Sequence, residues 1–244
     1  MNLKTEKYYW QKGFQVIIGL DEAGRGPLAG PITAAAVIVN PKAKIQSASW
    51  RNKPKINLPV GSKSQDFMNI LKGARDSKKL SPKQREKIFE LIQKSPYIKF
   101  THSSVGPKTI DRINIEKANQ KAMQNCLKKI LSNQDIKNKK ILILIDGNQK
   151  IPLDYFFLKN DYFFLKNKKI FQKAVIKGDN KIFSIALSSI VAKVTRDKKM
   201  NALSLKYPQY KFSSNKGYGT ELHRQLLKKY GPCEIHRKSF KLHR

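Results

Sequence analysis

Acids are scarce in this chain. Of 244 residues only 17 are Asp or Glu, against 50 Lys or Arg, for a formal charge of +33. Such an excess repels itself and disfavours cationic partners. It fits a polyanion, because phosphates attract Lys and Arg and release their counterions. A lysine-rich, merely solvated surface also fits, since lysine is spread along the whole chain. Cysteine is nearly absent. Cys126 and Cys233 are the only two, and their spacing suits neither a zinc site nor a disulfide framework, which favours a reducing compartment. Long hydrophobic runs are missing as well. The longest mostly apolar stretch, Ile182–Val194, holds three serines and a lysine and is too short to cross a bilayer. The opening MNLKTEKYYWQKG has no apolar signal-peptide stretch. The expectation is a cytoplasmic protein with no membrane partner.

The ordered pattern alternates strands and helices. Val16–Leu20 and Ile32–Val39 read as buried strands. Ser81 followed by Pro82 reads as the start of a helix running to Lys94. Ile98–Val105 reads as a strand, and Thr109–Leu131 as an amphipathic helix with Cys126 in its core face. The continuous apolar run Ile141–Ile145 reads as a strand buried on both faces. Ile170–Ile176 is a further strand, Ile182–Leu205 a helix, 211–219 a loop, and Glu221–Tyr230 a helix closed by Gly231-Pro232. The basic tail HRKSFKLHR reads as a fraying end. These elements predict one α/β domain with a mixed sheet and a helical C-terminal part.

Two segments interrupt the pattern. Residues 40–75 hold eight Lys or Arg, one acid and three prolines, a long connection that is either functional or disordered. DYFFLKN occurs twice in succession, at 154–160 and 161–167. It reads as a local duplication in an exposed excursion, or as an aromatic flap that stacks on nucleic acid.

The few acids are not scattered. Asp21 and Glu22 end the first strand, Asp146 ends the ILILI strand, and Asp179 follows the Ile170–Ile176 strand. Ligands of open α/β sheets collect beyond the carboxyl ends of strands. Neighbouring strands would bring these carboxylates together, and clustered carboxylates remain ionised when cations sit among them. All-oxygen donors suit Mg²⁺ or Mn²⁺ rather than zinc. Two such ions activate a water and stabilise the leaving oxygen of a phosphodiester. The neighbouring Gly24-Arg25-Gly26 offers a backbone that can approach a ligand closely.

The motifs LDEAGRGPLAGP (20–31), DSKKLS (76–81), LIDGN (144–148), VIKGD (175–179), SSIVAKVTRD (188–197) and KGYGT (216–220) resemble those of ribonuclease HII, in the same order. The resemblance implies a mixed RNase H-like sheet flanked by helices over 16–205, with insertions at about 40–75 and 149–169. A C-terminal helical extension over 206–244 completes the implied fold. It implies a monomer that cuts the RNA strand of RNA–DNA hybrids and incises duplex DNA 5′ of embedded ribonucleotides, leaving 3′-hydroxyl and 5′-phosphate ends. It assigns Asp21, Glu22, Asp146 and Asp179 as catalytic ligands of two divalent cations, Mg²⁺ or Mn²⁺. Gly24, Arg25, Gly26 and Tyr218 then read the 2′-hydroxyl, the group that separates RNA from DNA, and Ser77 and Lys78 grip the backbone. Lys193, Arg196 and Asp197 lie on one helix turn, where Arg196 and Asp197 fit structural pairing as easily as substrate contact, and His223, after the KGYGT loop, fits a phosphate contact or a satisfied surface histidine equally. The sister family, ribonuclease HIII, has a different glycine loop. A non-catalytic basic binder on the same fold is the rival from another class.

Overall fold

The computed structural model describes residues 2–40, 69–70, 73–74, 80–136, 138–153 and 169–241. Among these, five strands form one mixed sheet: β1 (Val16–Ala23), β2 (Ile32–Val39), β3 (Ile98–Val105), β4 (Ile141–Asp146) and β5 (Ile170–Val175). Their order is β3-β2-β1-β4-β5. β2 pairs antiparallel with β1 and β3, while β4 runs parallel to β1 and β5. The helices are α1 (Lys4–Gln11), α2 (Pro82–Lys94), α3 (Pro107–Leu131), α4 (Phe183–Lys206), α5 (Phe212–Asn215) and α6 (Glu221–Tyr230).

Strand side chains alternate between faces, so a strand buried on both sides must be apolar throughout. Val16, Ile18 and Leu20 of β1 pack with Ile143 and Ile145 against Ala118, Ala122 and Met123 of α3. On the opposite face Ile17, Leu142 and Leu144 meet Ile185 of α4. Ala35 and Val37 of β2 meet Phe183, Leu187 and Val191 of the same helix. Gly19 permits this approach, because a Cβ there would stand 2.2 Å from the Ser184 carbonyl carbon. The Ser188 hydroxyl donates to the Gly19 carbonyl at 2.8 Å. Cys126 is a core residue, as expected. Its thiol donates to the Ala34 carbonyl at 3.2 Å, and burial pushes its pKa up to about 12.

β2, α2, β3 and α6 span the residues that the sequence predicts. α2 starts with a reciprocal cap: Ser81 Oγ accepts from the Gln84 N–H, and the Gln84 side chain accepts from the Ser81 N–H. β1 differs, since it continues past Leu20 through Asp21 and Glu22 to Ala23. α3 starts two residues earlier than expected and is kinked at Asn114, where φ is 66°. The expected loop 211–219 contains α5. α1 was not expected at all. Its buried Glu6 accepts from the Ser184 N–H at 2.8 Å, satisfying an amide that the first turn of α4 leaves orphaned.

The tail does not fray through its described length. His236 and Arg237 are buried, and Ala29 bridges His236. Ser239 donates twice to Asp111. Among the described residues, no helix is long and apolar enough to cross a membrane. Most of the 40–75 connection and both DYFFLKN copies lie outside the described residues.

Candidate active site

Asp21 and Glu22 are consecutive on β1, so their side chains leave opposite faces of the sheet. Asp21 shares the α4 face with Ile17 and Gly19, and Ser189 of α4 favours its ionised form. Glu22 shares the α3 face with Leu20, and Asn119 of α3 favours its ionised form. The parallel register pairs Leu20 with Ile145. One step further, Asp21 and Asp146 leave adjacent strands at the carboxyl edge. Asp146 Oδ1 accepts from the Gly178 N–H at 2.6 Å. That bond ties the 3₁₀ turn Gly178–Asn180, with buried Asp179, to the end of β4. Asp179 is therefore placed by a turn anchored on Asp146 rather than by β5 itself.

Burial raises the Asp21 pKa well above the ordinary range, and the charges of Glu22 and Asp146 raise it further. Burial also raises Glu22; Arg25 opposes this and Asp146 adds to it. Arg25 is a counter-charge on this edge. It lies 3.6 Å from Glu22 and also pairs with Glu116 of α3. A cleft bounded by Arg25, Glu116, Asn119, Asp146, Asn148 and Lys150 opens beside the acids. Among the described residues, no three His, Cys, Asp or Glu side chains are grouped closely enough to hold a metal ion. The donor set nevertheless suits a hard cation: oxygen ligands, burial, and mutual repulsion that a cation would relieve.

The loop between β1 and β2 faces this edge. Gly24 has φ +98°, and a Cβ there would stand 2.1 Å from Arg196 Nε. The Leu28 N–H donates to the Gly217 carbonyl at 2.8 Å, which brings the Tyr218 loop alongside. Tyr218 is 41% exposed, with Lys193 Nζ 5.6 Å from its ring centre. His223 Nδ1 lies 2.8 Å from the Tyr218 carbonyl oxygen and must carry the proton, since a carbonyl only accepts. His223 Nε2 then accepts from His236 Nε2 at 3.2 Å, and His236 Nδ1 accepts from the Cys233 N–H at 3.0 Å. Both rings are neutral in this relay. Burial, then His223, lowers the His236 pKa to about 4.

His223 is thus fully buried. It is neither a phosphate contact nor a surface histidine, and it fastens the loop that carries Tyr218. Arg196 is also buried, with donors on the Pro31, Ala29 and Lys216 carbonyls. Lys193 and Asp197 pair at 2.9 Å. Ser77 and Lys78 lie outside the described residues. Sequence reasoning missed Ser189, Glu116, Asn119 and Arg237. Asn119 carried a signal, as a polar residue on the apolar stripe of α3. Arg237 carried none, because its partners lie more than 200 positions away.

The sequence pattern of the family described as Ribonuclease HII matches residues 18–49 and 59–243. The gap falls within the long 40–75 connection. Ribonuclease HII of Caldicellulosiruptor bescii is 41% identical over 247 residues, covering 98% of this chain and 97% of that protein. Ribonuclease H2 of Pyrococcus horikoshii superposes with a TM-score of 0.62 at 23% identity, covering 93% of this chain and 94% of its own. Bst-RNase HIII, solved in complex with Mn2+, gives 0.65 at 17% identity, covering 96% of this chain and 69% of its own. The two folds alone do not separate HII from HIII. The sequence does, and the chain belongs to the ribonuclease HII family.

Proposed function

We propose that this chain hydrolyses the RNA strand of RNA–DNA hybrids and incises duplex DNA on the 5′ side of an embedded ribonucleotide. The observation that carries the proposal is one strand edge, beside the glycine loop, where Glu22 and Asp146 oppose the ionisation of Asp21 and Asp146 opposes that of Glu22. Asp21, Glu22, Asp146 and Asp179 would hold two divalent cations, Mg²⁺ or Mn²⁺, with their side chains turning toward a common centre. When bound, such ions lower the pKa of water and neutralise charge on the leaving oxygen.

The chain's own residues supply position and selection. The amides of the Gly24–Gly26 loop read the 2′-hydroxyl, and Tyr218 stacks on the sugar beside the cut. Ser189 and Asn119 orient Asp21 and Glu22 from opposite faces of the sheet. The basic surface draws in the duplex. The products end in a 3′-hydroxyl and a 5′-phosphate.

The test is cleavage of a labelled DNA duplex containing one ribonucleotide, with Mg²⁺, Mn²⁺ or EDTA, with the product ends mapped. Metal-dependent incision immediately 5′ of the ribonucleotide is expected. Binding without any cut, by a folded sample, would favour a non-catalytic basic binder instead. Arg25→Ala and Tyr218→Ala should each lower incision at least tenfold with little change in thermal midpoint. Unchanged cleavage by both variants would remove the assigned readout.

A further inference from the structure

Backbone bonds hold Leu28, Ala29 and Gly30, but the Gly24, Arg25 and Gly30 carbonyls on the inner side of the Gly24–Pro31 loop are held by a guanidinium group. Arg237 is fully buried. Its Nη2 donates to the Gly24 carbonyl at 2.6 Å, its Nη1 to the Arg25 carbonyl at 2.8 Å, and its Nε to the Gly30 carbonyl at 3.0 Å. Its own N–H donates to the Leu28 carbonyl at 2.8 Å. Phe240 packs 5.1 Å from the guanidinium carbon. Arg196 holds the next carbonyls, Ala29 and Pro31, and bridges to Lys216 of the Tyr218 loop.

Burying two like charges side by side costs several kcal/mol per ion by general estimates unless their donors are satisfied. A hydrocarbon core would close the chain end without that cost. What the guanidinium fork adds is direction. In a trans peptide the C=O and the following N–H point to opposite sides, and the chain contains no cis peptide among the described residues. With the Gly24 and Arg25 carbonyls turned in toward Arg237, the Arg25 and Gly26 N–H groups turn out. Among the described residues neither amide has a protein acceptor. Gly26 is exposed, with nothing within 4 Å of where a Cβ would stand.

We propose that Arg237 is a positioning residue for ribonucleotide recognition: its guanidinium fixes two peptide planes so that the Arg25 and Gly26 amides face the 2′-hydroxyl. Arg196 does the same for the base of the loop and locks it to the loop of Tyr218. The proposal rests on the function above. Charge alone does not suffice, because a lysine ammonium lacks the planar fork that spans neighbouring carbonyls.

The test uses steady-state kinetics of the native chain and of Arg237→Lys on a duplex containing one ribonucleotide, with an all-DNA duplex of the same sequence as competitive inhibitor. Arg237→Lys should raise KM for the ribonucleotide duplex at least fivefold while Ki for the DNA duplex stays within twofold. A loss of Vmax with KM and Ki unchanged, or KM and Ki rising together, would overturn the proposal by making Arg237 a general structural residue. If the native chain cuts nothing, it is the proposed function that fails. Should Arg237→Lys not fold, amide NMR of the native chain decides. The Arg25 and Gly26 resonances should shift with the ribonucleotide duplex and not with the DNA duplex, and equal shifts with both would overturn the proposal.

Discussion

Asp21 illustrates the tension of the site at the scale of one residue. Its raised pKa means that the folded chain holds the proton more tightly than the unfolded chain does. Stability from this group is therefore full below pH about 4 and is lost as pH rises through the raised folded value. Asp21→Asn should raise the thermal midpoint in EDTA at pH 7.5 by a few degrees and abolish cleavage. The gain should vanish at pH 3.5, and a variant no more stable than the native chain at pH 7.5 would contradict the burial argument. The four acids were legible in the sequence because each closes or follows an apolar run in an acid-poor chain. The residues that orient them were less so. Ser189 and Asn119 act across the sheet from α4 and α3, and such partners depend on which helix covers which face. Arg237 was illegible, since only the folded chain brings the tail under the loop.

Elements show a similar division. β2 and α2 were readable from local chemistry, the first from eight apolar or small residues and the second from its Ser81 cap. α1 was not, because what it buries is Glu6 rather than an apolar stripe, and its partner lies at the start of α4. The contact between β1 and α4 depends on Gly19. Gly19→Ala places a Cβ against Ser184 backbone and should cost about 1–3 kcal/mol or more. That corresponds to a fall in thermal midpoint of roughly 2–4 °C per kcal/mol for a chain of this size. An unchanged midpoint would show that α4 can slide. The C-terminal elements depend on the neutral His223–His236 relay. With the folded His236 pKa near 4, the unfolded chain binds the proton more readily. Its contribution is present above pH about 6.5 and is lost as pH falls toward 4. The thermal midpoint of the native chain should drop across that window more than that of His236→Gln, measured side by side. Parallel pH profiles would remove the relay from the account.

The whole molecule is a strongly cationic body around a small acidic edge. Counterion release makes its affinity for any duplex fall steeply with salt. Raising salt from 50 to 200 mM should weaken hybrid binding at least a hundredfold in an anisotropy titration. A flat response would return the lysines to mere solvation. Selection by neutral amides, as proposed, should by contrast survive salt as a ratio between ribonucleotide and all-DNA duplexes. The bond from Arg237 to Gly24 spans 213 positions, and it sets an order on synthesis. While the chain is being made, the four acids and the glycine loop leave the ribosome long before Arg237. On the proposed roles, a chain that has not yet reached Arg237 carries the four acids without the clasp that would aim the loop. On the same proposed roles, competence to select ribonucleotides arrives only once Arg237 has emerged.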